Sequence, residues 1–110
     1  MGYNMKKSLI CNGNTWQLHL TKPLAQLLAL SESEHTVNLV IKNKTLYVKR
    51  ILTKDLEQYK DLLCKKLIKR GAGYGLNIPV SILELLGINP ETDMLECEID
   101  DQLLIIKKAE

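Results

Sequence analysis

The stretch Gly71–Lys108, GAGYGLNIPVSILELLGINPETDMLECEIDDQLLIIKK, decides how the chain folds. Gly71-Ala72-Gly73 is a turn signal, and Tyr74 to Ile78 has the length and composition of a strand. Pro79 opens a helix over Val80 to Leu86, because its fixed φ and missing N–H suit a first helical turn. Gly87 followed by Ile88 is a left-handed helix stop with an apolar partner. Asn89-Pro90-Glu91-Thr92 turns the chain. Met94 to Ile99 and Leu103 to Lys108 then form a hairpin around Asp100-Asp101-Gln102. Just upstream, Cys64 to Arg70 reads as a further strand.

Moved back by 58 positions, this stretch meets a worn copy of itself. Residues 7–50 align with 65–108 without a gap. Lys7/Lys65, Leu9/Leu67, Ile10/Ile68, Gly13/Gly71, Leu18/Leu76, Leu27/Leu85, Leu28/Leu86, Ile41/Ile99, Leu46/Leu104 and Lys49/Lys107 are identical pairs. Turn, helix and hairpin fall in register together, which marks an internal repeat. The first copy therefore reads as a strand from Lys6 to Cys11, a turn at Asn12-Gly13-Asn14-Thr15 and a half-buried strand Trp16 to Leu20. A helix follows, with Thr21 as N-cap and Leu24, Leu27, Leu28 and Leu30 at helical spacing. Ser31 to His35 breaks it. Val37, Leu39 and Ile41 alternate, Asn43-Lys44 is a tight turn, and Thr45 to Arg50 pairs back.

Residues 51–64 have no counterpart. With Thr53 as N-cap, Asp55 and Glu57 in the first turn and Leu56, Tyr59, Leu62 and Leu63 on one face, they predict a connecting helix packed on the domain. A unit of about 45 residues buries too little apolar surface to fold alone, so each copy must complete its core with another. The expectation is one pseudo-dimeric domain over 1–110, with repeat one at 5–50, a connecting helix or linker at 51–64 and repeat two at 65–108.

Composition narrows the function. Cys11, Cys64 and Cys97 are an odd number without a CxxC pair, so neither a disulfide framework nor a zinc site is expected; they read as buried or half-buried small apolar residues. His19 and His35 have no local partner for metal binding. No metal, cofactor or catalytic residue is assigned, and an enzyme is not expected: no nucleophile faces a base, and Gly71-Ala72-Gly73-Tyr74-Gly75 lacks the GxGxxG register. No run approaches a membrane span and no signal peptide is recognisable, so the expected location is cytoplasmic. The net charge of +2 conceals a gradient: residues 1–50 carry +5, 51–64 carry −1 and 65–110 carry −2. Residues 1–31 and 64–83 contain no acid at all. Lys6, Lys7, Lys22, Lys65, Lys66, Lys69 and Arg70 lie in those windows, an arrangement suited to a polyanion.

Residues 75–108 resemble the AbrB/MazE/SpoVT swapped-hairpin domain, which typically shows a basic first strand, a glycine turn, an Ile-Pro helix start, a Leu-Gly-Ile-x-Pro exit and an Asp-x-Leu-x-Ile hairpin. Lys65 to Lys108 fits along its length; Lys7 to Arg50 fits through its alignment to the second copy. The resemblance implies a mostly β barrel with short helices. In it, strand–strand–helix–strand–strand units exchange hairpins, here fused into one pseudo-dimeric chain that is monomeric or assembles further. It also implies a transcriptional regulator that binds duplex DNA. The positions matching the family's DNA contacts are Lys6, Lys7, Asn12 and Asn14 in repeat one, and Lys65, Lys66, Lys69 and Arg70 in repeat two. The lysines would neutralise phosphates, while Arg70, Asn12 or Asn14 would read base edges. The first copy departs from the pattern. Asn12 stands opposite Arg70, Thr21 opposite Pro79 and Ala29 opposite Gly87, the last at about 1 kcal/mol if φ must be positive there. Two alternatives stay open: a MazE-like antitoxin with a toxin partner, for which an acidic tail beyond Lys108 is missing, and a protein-binding module that has lost DNA binding.

Overall fold

The structure, a computed structural model, describes residues 3–59 and 63–109. The first half contains β1 (Tyr3–Ser8), β2 (Ile10–Asn12), β3 (Thr15–Leu20), α1 (Lys22–Leu27), β4 (Thr36–Lys42) and β5 (Thr45–Ile51). A 3-10 helix, Thr53–Tyr59, leads to β6 (Cys64–Lys66), β7 (Ile68–Arg70), β8 (Gly73–Ile78), α2 (Val80–Leu86), β9 (Met94–Asp100) and β10 (Leu103–Lys108). The protein is mostly β with short helices. The period-two stretches became strands with one buried face, as in β4, where Val37 and Leu39 are buried, and in β9, where Leu95, Cys97 and Ile99 are.

The strands form a six-stranded sheet in the order β1-β9-β10-β5-β4-β6 and a four-stranded sheet in the order β2-β3-β8-β7. All the pairings are antiparallel. Strands of both halves lie in both sheets. β1 joins the hairpin β9–β10 of the second half, and β6 joins the hairpin β4–β5 of the first. The offset of 58 recurs in the registers. Lys7 sits opposite Leu95, and Lys65 sits opposite Val37. Leu18 pairs with its own counterpart Leu76, and Tyr47 with its own counterpart Ile105. A pseudo-twofold axis therefore runs through those two pairs. Leu18, Leu76, Leu46, Leu104, Leu95 and Ile106 lie at 0–1% exposure in one continuous core with contributions from both halves. The radius of gyration, 13.1 Å, matches the roughly 13 Å of a compact chain this long.

Several local expectations need correction. The strands read as Lys6 to Cys11 and Cys64 to Arg70 are each two strands, interrupted at Leu9 and Leu67. Both leucines are buried, 6% and 4% exposed, where the chain leaves the six-stranded sheet for the four-stranded one. At the second crossing the Leu67 N–H donates to the His35 carbonyl, 2.9 Å away, instead of to a strand partner. The connecting segment does not form an α-helix with a buried face. Ile51 stays in β5, and the 3-10 turn buries none of its side chains. Leu63 is 42% exposed, and Leu62 lies outside the described residues. What anchors the segment is polar: the Thr53 N–H donates to Glu34 Oε2 at 2.7 Å. Asp100 belongs to β9, which leaves Asp101-Gln102 as a two-residue turn with φ of 50° and 65°, like Asn43-Lys44 with 53° and 59°.

The helices run as the capping residues dictate, with two exceptions. Thr21 occupies the N-cap of α1 but its hydroxyl makes no capping hydrogen bond. Leu27, counted on the apolar stripe, is 44% exposed, whereas Leu24 and Leu28 are buried. Both helices end alike. Leu30 N–H donates to the Ala25 carbonyl and Ala29 N–H to that of Gln26; Ile88 and Gly87 donate to Leu83 and Glu84 in the same way. Ala29 has φ of 60° and Gly87 of 71°. This is the hydrogen-bond pattern of a left-handed helix exit, kept in the copy without glycine.

Candidate nucleic-acid interface

The two first strands deliver their residues to three separate places. Lys6 and Lys7 lie on β1 and Lys65 and Lys66 on β6, at opposite edges of the six-stranded sheet. Side chains alternate across a strand, so each pair splits. Lys7 and Lys65 share the core face with buried Leu95 and Val37, and both are half-buried. Lys6 and Lys66 are exposed on the other face. Lys7 lies near enough to Cys97 to act on it electrostatically: burial pushes that thiol up to about 11, and the Lys7 charge pulls against the rise.

Asn12, Asn14, Lys69 and Arg70 gather around the four-stranded sheet. Antiparallel pairing of β3 with β8 puts the turn at Gly13-Asn14 and the turn at Gly71-Ala72 at opposite ends of that sheet. With β2 and β7 on the outside, roughly 14 Å apart, the two turns occupy diagonal corners. Asn14 is exposed at one corner, and Arg70 sits at the other.

Lys69 and Arg70 also part company. Lys69 pairs with Tyr74, whose side chain is buried at 4%, and its Nζ lies 5.0 Å from the ring centroid. The same ring stacks on His35 at 5.6 Å and 20°. Lys69 thus makes a cation–π contact at the rim of the core while staying exposed. Tyr74 and partly buried Trp16 pack into the core, and His35 stacks on a tyrosine with its Nδ1 3.1 Å from the Ser31 carbonyl oxygen.

Arg70 faces the outer side of the sheet and meets two residues that motif reading passed over. Its Nε donates to Gln17 Oε1 at 3.1 Å, and Gln17 Nε2 donates to Asn77 Oδ1 at 2.8 Å. Gln17 is the one buried polar side chain among the described residues, at 6%. It owes that burial to Gly75, over which it lies; a Cβ at Gly75 would overlap the Gln17 carboxamide. On the same face stand Ile10, paired with Gln17, and Ile68, paired with Gly75, 56% and 38% exposed. The signal for Gln17 was present in the alternation of Trp16-Gln17-Leu18-His19-Leu20, which turns Gln17 outward. Its partners were invisible, because Asn77 and Arg70 are 60 and 53 residues away.

Neither segment of this sheet, residues 10–20 nor 68–78, contains an acidic residue. The six-stranded sheet differs: its outer surface mixes Lys6 and Lys107 with Glu96 and Glu98 along β1, β9 and β10. Cys11, expected buried or half-buried, is exposed on β2, with its thiol 3.4 Å from the Gly13 carbonyl. Among the described residues no group of three His, Cys, Asp or Glu side chains is placed to hold a metal, and no helix is long and apolar enough to cross a membrane. Comparison with protein-family models, curated proteins and solved structures returns no match to the chain.

Proposed function

We propose that this chain is a fused pseudo-dimer of the AbrB-type swapped-hairpin barrel and that it binds duplex DNA as a transcriptional regulator. One observation carries the DNA reading. Both acid-free windows of the sequence converge on the four-stranded sheet, whose strands and turns contain no carboxylate while Arg70 stands on the open face. A surface that carries cations and no fixed negative charge attracts a polyanion and imposes no repulsion on its approach. In this reading exposed Lys6, Lys66 and Lys69 neutralise phosphates, and Lys7 and Lys65 add their charges from half-buried positions. Arg70 lies beside base edges, and Asn12 and Asn14 meet the sugar–phosphate backbone of the related half-site. The hairpin exchange is supported by β1 on β9 and β6 on β4, each first strand lying against the other half's hairpin.

The test is the salt dependence of binding to labelled duplex DNA, read by fluorescence anisotropy. Five lysines acting on phosphates, with Arg70 adding its charge in the groove, give a log–log slope of about −5, and the double variant Lys69→Ala/Arg70→Ala should make it shallower by about 2. A flat salt response removes the proposal. Flat response together with stable capture of a partner protein selects the protein-binding or antitoxin reading.

A further inference from the structure

The pseudo-twofold axis through Leu18 and Leu76 relates every position on the outer face of the four-stranded sheet to one 58 residues away. It relates Arg70 to Asn12, Gln17 to Gly75 and Asn77 to His19. The backbone obeys the symmetry: Ile10 pairs with Gln17 as Ile68 pairs with Gly75. The side chains do not. One diagonal carries the connected series Arg70–Gln17–Asn77. The related diagonal has no cation at position 12 and no side chain at position 75.

We infer that each bound chain reads DNA asymmetrically, with Arg70 recognising a guanine in one half-site and the related half contacting DNA without base preference. The inference rests on the DNA-binding reading above. Gln17 is a positioning residue. It holds Arg70 by Nε and is itself held by Asn77, so the anchor uses Nε and leaves the end-on Nη1/Nη2 pair of Arg70 for a partner. A guanidinium presents its donors as a rigid fork, and that fork matches O6 and N7 of guanine in the major groove. An anchored fork loses less side-chain freedom on binding than one that must be ordered on contact. Gly75 makes the anchor possible by leaving room for the carboxamide, so the absence of a side chain on the unread half and the fixed arginine on the reading half have one cause. Ile10 and Ile68, symmetric and apolar, stand on both halves and do not break the symmetry.

The experiment selects bound sequences from random duplex DNA with the full chain, with the number of chains per duplex measured by sedimentation. The expected motif has one informative, guanine-containing half-site per bound chain. Arg70→Lys keeps the charge and loses the fork, so it should retain affinity for scrambled DNA while its preference for the selected sequence falls roughly tenfold or more. Gln17→Ala should lose that preference in the same direction. Gln17→Glu, which keeps an acceptor for Arg70, should preserve the guanine despite weaker total binding. Thermal melting of each variant separates loss of reading from loss of fold, and the exposed Arg70→Lys substitution tests the inference even if position 17 proves intolerant. A palindromic motif with equal halves from a single bound chain overturns the inference and leaves DNA binding intact. So does a motif unchanged in Arg70→Lys. Absence of salt-sensitive binding to any duplex removes the DNA reading itself and the inference with it.

Discussion

The exits of α1 and α2 share a backbone, and the two diagonals of the four-stranded sheet share one too, yet the consequences of sequence divergence differ between these regions. At the helix exits, Ala29 takes a φ of 60° that alanine disfavours, and the hydrogen bonds match those around Gly87. Buried Leu28 and partly buried Leu30 fix where the chain must go, and packing overrides local preference. At the sheet face, replacement of one glycine position by Gln17 leaves the register untouched and creates a polar series that its counterpart lacks. In the core, divergence costs stability and leaves geometry alone. On the open face, it leaves geometry alone and changes chemistry.

The largest effect should come from the axis itself. Leu18→Ala and Leu76→Ala each empty a site of 0% exposure, and each should cost about 2–5 kcal/mol in denaturant unfolding. Because the two leucines face one another, the costs should agree within about 1 kcal/mol. A cheap substitution on one side only, or two separate transitions, would break the picture of one shared core.

Gly75→Ala comes next. Its new Cβ overlaps the Gln17 carboxamide, an overpacking of about 1–3 kcal/mol unless Gln17 moves. If Gln17 moves, the contact with Arg70 goes with it, and the double variant Gly75→Ala/Gln17→Ala should recover part of the lost stability.

The helix exits give smaller and opposite shifts. Gly87→Ala should destabilise by about 1 kcal/mol, and Ala29→Gly should stabilise by about the same or less, since glycine relieves the left-handed strain but loosens the unfolded chain. Equal signs in thermal melting would mean that one exit relaxes when substituted.

The thiols give the smallest effect on stability and a clear contrast in reactivity. Cys11 is exposed and should alkylate readily, Cys64 more slowly, and buried Cys97 only when the core opens. Cys97 rises from an ordinary value of 9.0 to about 11, chiefly by burial. The folded state therefore favours the neutral thiol. That contribution is complete below about pH 9 and is lost as pH rises towards 11, so Cys97→Ala should flatten the alkaline decline of stability once its own cavity cost is subtracted. Rapid labelling of native Cys97 would contradict this burial.

Much of the fold was legible locally. Pro79 and Gly87 marked the bounds of α2, Asn43-Lys44 marked a hairpin turn, and alternation in β4, β5, β9 and β10 marked which side chains go inward. The offset of 58 also anticipated which residues occupy equivalent places, because a backbone built twice from similar local signals repeats its registers.

Sequence alone determined element types, their inward faces and the pairing of equivalent positions, since those depend on residue preferences and short periods. The tertiary structure decided the rest. The alternation of Met5, Lys7, Leu9 and Cys11 continues through the bend at Leu9, so nothing local says that the chain changes sheets there. What Lys69 and Arg70 meet on their opposite faces follows from which sheet β7 joins. The meeting of Arg70, Gln17 and Asn77 joins residues more than 50 positions apart, and no period encodes that contact. It exists because two sheets share one core, and closing that core brings the open face of β3, β8 and β7 together.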